Sequence, residues 1–96
     1  MTMSFTTKLR SAWSTRDSML CVGLDPDVAK LPRRIEKSPS GVLEFCRAIV
    51  DSTSDLVCAF KPQIAYFAAI GAERELAELC GHIRANHPEV VLILDA

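Results

Sequence analysis

The amino-acid sequence predicts an α/β fold in which helices accompany a parallel sheet. Three short apolar runs, at residues 19–24, 56–60 and 90–94, have the length and composition of strands that are buried on both faces. Segments with helical spacing separate these runs, so the order is strand, helix, strand, helix, strand. Parallel strands require such crossover connections, and the sheet is therefore either covered by helices on both sides or closed into a barrel.

Two helices are predicted in the first half of the chain. Residues 4–14 repeat apolar side chains every four positions and predict a helix that precedes the first strand. Residues 41–52 form an amphipathic pattern, and either Ser38 or Ser40 is a suitable N-cap for it. Residues 28–40 contain two prolines and several basic side chains, which predicts a solvated connection.

A second helical block lies between the second and third strands. Residues 64–70 and 72–85 have helical spacing, and Gly71 is the position at which the block would divide in two. His82 and His87 lie on or just after the polar face of this block. For such histidines, solvated or capping roles are more common than catalysis.

Composition and charge limit the function classes. With 49% hydrophobic residues, 24% charged residues and a formal net charge of −1, the chain is typical of a globular protein without a basic field for nucleic acid. The N-terminal residues contain no apolar run of signal-peptide length, so we expect a cytoplasmic protein with neither a nucleic-acid nor a membrane partner. The cysteines are widely spaced within apolar stretches, which predicts reduced, buried thiols and no metal site; they are Cys21, Cys46, Cys58 and Cys80.

Each predicted strand is followed by a charged residue, namely Asp25, Lys61 and Asp95. Charged residues commonly begin loops, and an Asx turn around Pro26 would account for Asp25 together with Asp27. However, the carboxyl ends of parallel strands converge at one edge of a sheet or barrel, where functional groups gather. Three consecutive strands that end in this way favour a common site.

Three motifs, in this order, resemble those of orotidine 5′-phosphate decarboxylases. Residues 19–27, MLCVGLDPD, are similar to the first-strand motif of that family, and residues 60–67, FKPQIAYF, are similar to its second-strand motif. Residues 92–96, LILDA, resemble the start of the signature Asp-Ala-Lys-Arg-Gly-Asp-Ile. The form of the second motif is similar to the bacterial branch with longer chains, and the resemblance covers the N-terminal third of such a protein.

The resemblance implies a (β/α)8 TIM barrel. Residues 1–96 would then be the N-terminal part of a single barrel domain, with an N-terminal helix and the first three strands with two intervening helices, truncated after the third strand. The implied reaction is decarboxylation of orotidine 5′-phosphate to uridine 5′-phosphate in pyrimidine synthesis. It implies a homodimer that uses neither a metal nor an organic cofactor.

The resemblance also implies a role for each charged strand end. Asp25 matches the aspartate that binds ribose hydroxyls, and Lys61 matches the lysine that contacts the ribose within the charged catalytic network. Asp95 matches the aspartate beside the substrate carboxylate. The proton-donating lysine, and a second aspartate supplied across the dimer interface, belong to the motif just past Ala96. We therefore expect the 96 residues alone to be inactive.

These roles agree with the chemistry of the reaction. Loss of CO₂ leaves negative charge on a ring carbon, and an ammonium placed there stabilises the transition state and can donate a proton. A fixed carboxylate near the departing carboxylate disfavours the bound ground state, and Asp95 is the candidate for this role. Lys61 would hold the geometry, because its charge between two carboxylates keeps both ionised.

Two alternative functions fit the same pattern. One is another phosphosugar-handling barrel, such as an epimerase or aldolase; the other is a non-catalytic α/β fragment whose strand-end charges form a structural cluster. A site of any kind requires the three strands to be parallel neighbours in chain order. The Lys61 ammonium should then lie within about 4 Å of at least one carboxylate, the reach of an ion pair.

Overall fold

A computed structural model of the protein describes residues 5–16 and 19–95. In this part of the chain, the helices are α1 (Phe5–Arg16), α2 (Pro39–Thr53), α3 (Ile64–Ala69) and α4 (Glu73–Asn86), and the strands are β1 (Cys21–Leu24), β2 (Ala59–Pro62) and β3 (Val91–Leu92). A short 3₁₀ helix, Val28–Lys30, follows β1. Ser4, the first residue of the predicted N-terminal helix, and Ala96, the last residue of the third motif, lie outside the described residues. No helix of the described part is long and apolar enough to cross a membrane.

The three strands form one parallel sheet in the order β1-β2-β3. Cys21 pairs with Ala59 across the first ladder, and Ala59 pairs with Val91 across the second. The predicted order and direction of the strands are therefore confirmed. Since β2 is the middle strand, its carboxyl end lies between those of β1 and β3.

The second strand continues further than the sequence predicts, because it includes Lys61 and Pro62. A proline usually ends a ladder, since it has no N–H to donate. Here Pro62 contributes through its carbonyl, which accepts a hydrogen bond from the N–H of Asp95 at 3.1 Å. The next N–H, that of Gln63, donates to the Leu24 carbonyl at 3.1 Å and continues the contact with β1. Lys61 is consequently part of the strand rather than of a loop.

Helix α2 begins with the predicted cap. The hydroxyl of Ser38 accepts a hydrogen bond from the N–H of Gly41 at 3.2 Å, and Pro39 occupies the first turn, where its missing N–H has no cost. The predicted break between the next two helices is also confirmed. Gly71, between α3 and α4, has a φ of 67°, in the left-handed region that glycine tolerates best.

The main core lies between the sheet and the helices. Its fully covered members come from α2, β2, α3, α4 and the residue before β3; they include Val42, Val50, Phe60, Phe67, Leu79, Ile83 and Val90. A smaller cluster joins α1 to the start of the sheet, where Ala12 packs with Cys58, Ala59 and Val91. The helices thus cover both faces of β2, in agreement with the predicted fold class.

Two predictions about burial are wrong. The connection at residues 28–40 is not simply solvated, because Leu31 and Ile35 enter the main core after the short 3₁₀ helix. Strand β1 is not buried on both faces, since it has one neighbouring strand in the described sheet, and Cys21 is exposed. The other three cysteines are buried, as predicted.

Candidate active site at the carboxyl ends of the strands

Lys61 and Asp95 form an ion pair at the carboxyl end of the sheet. The Lys61 Nζ atom lies 3.9 Å from the Asp95 Oδ2 atom, and the two side chains are 44% and 43% exposed. The predicted contact between Lys61 and a strand-end carboxylate is therefore confirmed. Both charges remain accessible to solvent, so a ligand at this edge of the sheet could contact either of them.

The backbone of Asp95 is held from two sides. Its N–H donates to the carbonyl of Pro62 at 3.1 Å, and its carbonyl accepts from the N–H of Ile64 at 2.8 Å. Asp95 also forms a parallel bridge with Gln63. The first bond continues the β2–β3 ladder beyond Leu92, and the second satisfies an N–H in the first turn of α3, which lacks a side-chain cap.

Asp25 follows β1 at the same edge of the sheet and is exposed. Its carboxylate oxygens lie 3.7 and 3.9 Å from the point that a Cβ atom on Gly23 would occupy. Gly23 pairs with Lys61 in the β1–β2 ladder. The Asp25 side chain is therefore directed back towards the residue pair that contains the lysine. Within the described residues, the ion pair of Lys61 is with Asp95, and no ion pair within 4.0 Å joins Lys61 to Asp25.

The neighbouring aspartate has a structural role. The Asp27 carboxylate accepts a hydrogen bond from the N–H of Ala29 at 3.0 Å and caps the short 3₁₀ helix. The Asx-turn interpretation therefore accounts for Asp27. It does not account for Asp25, whose side chain is directed back over the strand.

Gln63 is a site residue that the sequence analysis did not single out. Leu24 of β1 pairs with Pro62 of β2. The following residue, Gln63, forms a parallel bridge with Asp95, which lies on the β3 side of the sheet. Gln63 therefore lies just beyond the end of β2, next to Asp95 and two residues after Lys61. The signal in the sequence was the position of Gln63 two residues after Lys61 in the motif at residues 60–67.

The positive charge of Lys61 also acts on β1. The pKa of Cys21 is raised, first because its thiol is partly covered and second because Cys58 is near, while the Lys61 ammonium acts in the opposite direction. At this edge of the sheet the lysine is paired with a carboxylate.

The group of described side chains able to hold a metal ion lies elsewhere, on α2 and at the end of α4.

A parallel sheet with intervening helices, and a charged pair at the carboxyl ends of neighbouring strands, are features typical of α/β enzymes. Over 98% of its length, the chain is 61% identical to orotidine 5′-phosphate decarboxylase of Azoarcus sp. strain BH72, of which it covers 35%. It is 54% identical to the same enzyme of Bordetella pertussis, with 98% of the chain and 34% of the relative aligned. The resemblance predicted from the three motifs is confirmed.

Solved structures agree with this relationship. A Toxoplasma gondii protein assigned as an orotidine-monophosphate decarboxylase matches with a TM-score of 0.83 and 33% identity, over 94% of this chain and 30% of that protein. Leishmania donovani UMP synthase matches with a TM-score of 0.76 and 34% identity, over 99% of this chain and 19% of the synthase. The fold is therefore that of part of a (β/α)8 barrel, as predicted.

The extent of the match is also informative. The chain spans about a third of the length of the curated relatives that it matches. No protein-family model matches it. The similarity thus covers nearly all of this chain and one segment of each relative.

Proposed function

We propose that the protein decarboxylates orotidine 5′-phosphate to uridine 5′-phosphate, as a step of pyrimidine synthesis. The observation that supports this most directly is the Lys61–Asp95 ion pair at the carboxyl ends of adjacent parallel strands. It occurs in a chain that is 61% identical to part of an orotidine 5′-phosphate decarboxylase. A general phosphosugar barrel would share the architecture but would not require this degree of identity.

In this proposal Asp95 lies beside the carboxylate that leaves as CO₂. The negative charge of Asp95 repels the substrate carboxylate, and this repulsion is relieved when the carboxylate departs as CO₂. Lys61 neutralises Asp95 and contacts the ribose, so that it fixes the relative position of the charged groups. Asp25, exposed at the end of β1, accepts hydrogen bonds from ribose hydroxyls.

The proton that replaces CO₂ requires an ammonium near the developing carbanion. The family resemblance assigns this donor to a lysine that follows the Asp95-Ala96 pair in the signature, and a further aspartate to the partner subunit of a homodimer. We therefore propose a homodimeric cytoplasmic enzyme that uses neither metal nor organic cofactor in this step. The 96 residues alone are expected not to form uridine 5′-phosphate.

The test is formation of uridine 5′-phosphate from orotidine 5′-phosphate by the protein expressed from its complete gene. Asp95→Asn should lower kcat by about 100-fold or more, because the side-chain shape is kept while the charge is lost. Asp55→Asn, the same change at an exposed position in the turn after α2, serves as the control. Absence of turnover by the wild-type protein, or full activity of Asp95→Asn, would contradict the proposal. Turnover by residues 1–96 alone would show that the donor is assigned wrongly.

A further inference from the structure

Two histidines and one aspartate meet on the helical layer of the molecule. Asp51 lies in the last turn of α2, His82 lies in α4, and His87 follows the last residue of α4. The Nε2 atoms of both imidazoles lie 2.8 Å from the same oxygen, Asp51 Oδ1. One ligand atom from each of the three side chains lies within 4.8 Å of the other two.

This cluster is remote from the candidate active site along the fold. Helix α2 leads into the start of β2, and α4 leads into the start of β3. The ends of both helices therefore lie near the amino ends of the strands, whereas Lys61 and Asp95 lie at the carboxyl ends. The proposed decarboxylation makes no use of the cluster.

The positions of the two imidazoles are fixed by their surroundings. The N–H of His87 donates to the carbonyl of Ile83 at 2.8 Å, and the backbone then leaves the helical conformation with φ −134° and ψ 59°. The side-chain amide of Asn86 lies 3.2 Å from Nδ1 of His82, which orients that ring with Nε2 towards α2. The His82 and His87 rings meet edge to face, with their centroids 5.9 Å apart.

The chemistry of the cluster suits a transition-metal ion. Two imidazole nitrogens and one carboxylate oxygen form a common ligand set for Zn²⁺ and similar divalent ions, with water in the remaining positions. The histidine side chains are 19% and 16% exposed, so their rings are mostly covered, while Asp51 is 50% exposed and leaves one side open to water. Both rings hydrogen-bond to the same carboxylate oxygen, so the anionic ligand already lies between the two imidazoles.

Only a small adjustment is required to admit such an ion. Ligand atoms around tetrahedral Zn²⁺ lie about 3.4 Å apart when the bonds are about 2.05 Å long. The two nitrogen-to-oxygen distances of 2.8 Å must therefore lengthen by about 0.6 Å. The third distance, between the two imidazole nitrogens, is within 4.8 Å, and the half-exposed Asp51 side chain is the ligand with the most room to move.

We propose that Asp51, His82 and His87 form a binding site for a divalent transition-metal ion, which links the end of α2 to the end of α4. The ion replaces the two imidazole-to-carboxylate hydrogen bonds: each ring then carries its single proton on Nδ1 and binds the ion through the Nε2 lone pair, and the Asn86 amide turns its oxygen towards Nδ1 of His82. The sequence predicted no metal site, because the widely spaced cysteines were the ligands considered. This proposal does not depend on the proposed enzymatic function.

The test uses protein from the complete gene, without a histidine tag and after treatment with a chelator. Calorimetric titration with Zn²⁺ should show one site, and the affinity of this site should fall by about 10-fold or more in Asp51→Asn and in His87→Gln. In Asp51→Asn the amide oxygen can still accept hydrogen bonds from the rings, so the helix contact persists while the anionic ligand is removed. Asp55→Asn, which makes the same charge change at an exposed position nearby, should bind as the wild type does.

A spectroscopic measurement separates metal binding from misfolding. Co²⁺ bound by the wild-type protein should give visible absorption bands that are absent from His87→Gln, while the far-ultraviolet circular dichroism of the two metal-free proteins should agree. Failure of the wild type to bind Zn²⁺ stoichiometrically would overturn the proposal and leave a hydrogen-bonded contact between two helices. Equal affinity in the wild type, Asp51→Asn and His87→Gln would overturn it as well.

Discussion

Replacement of Lys61 by methionine should separate the stability of the fold from the function of the site. Methionine has nearly the length of lysine but no charge, so Lys61→Met removes the ion pair with Asp95 and changes the packing little. The Asp95 carboxylate is then left without its counter-charge. The expected result is a large loss of activity with a small change in the free energy of unfolding.

The geometry of the Lys61–Asp95 pair sets the expected size of the changes in stability and in activity. Two unit charges 3.9 Å apart interact by about 1 kcal/mol in a medium as polar as water. Both side chains are more than 40% exposed, so solvent screening reduces the contribution of the pair to stability to less than about 1 kcal/mol. Bound substrate excludes water from the same charges, and loss of one positioned electrostatic group then costs about 100- to 1000-fold in kcat.

The assay compares steady-state formation of uridine 5′-phosphate with unfolding in urea, for the wild-type protein, Lys61→Met and Lys8→Met. Lys8 lies on α1, which packs near the start of the strands, and is the matched control for the loss of one ammonium. Two results would refute the reasoning. One is near wild-type kcat in Lys61→Met; the other is a loss of several kcal/mol of stability in this variant, which would assign the lysine to the fold.

Four further predictions concern Asp25, two glycines and two of the cysteines. Asp25→Ala should raise KM more than it lowers kcat, and an unchanged KM in steady-state kinetics would exclude the ribose-binding role. Gly41→Ala should destabilise the fold by about 2 kcal/mol or more in urea unfolding, because its Cβ atom would collide with the backbone carbonyl of Glu36. Gly81→Ala, where the new atom has no neighbour within 4 Å, should stabilise α4 by about 0.5–1 kcal/mol. Iodoacetamide at pH 8 should modify the exposed Cys21 before Cys46, since burial raises the pKa of the latter to about 11; equal rates by mass spectrometry would contradict this.

The sequence predicted the strand order and the charged strand ends, because both depend on local patterns. Apolar runs bounded by turn residues marked the strands, and a charge directly after each run marked the edge where functional groups meet. The boundaries of β2 were less accurate. Leu56 continues the apolar run in sequence but lies in the turn after α2 and is 60% exposed, so the strand begins at Ala59.

Contacts between distant segments could not be predicted in the same way. His82 and His87 are five residues apart, a spacing that does not place two side chains on one face of a regular helix. They meet because the backbone leaves the helix at His87, and Asp51 reaches them from another helix. The position of Gln63 between neighbouring strands likewise depends on the register of the ladder, which a single sequence does not specify.

The two backbone hydrogen bonds of Asp95 have a consequence for any anion that approaches the site. With its N–H bound to β2 and its carbonyl bound to the start of α3, the residue cannot withdraw by a shift of the main chain alone. Repulsion from an incoming carboxylate must therefore be absorbed by rotation of the Asp95 side chain, by displacement of Lys61, or by the ligand itself. An enzyme that uses this aspartate to oppose its substrate gains from such an anchor, because the opposing charge keeps its position while the substrate changes.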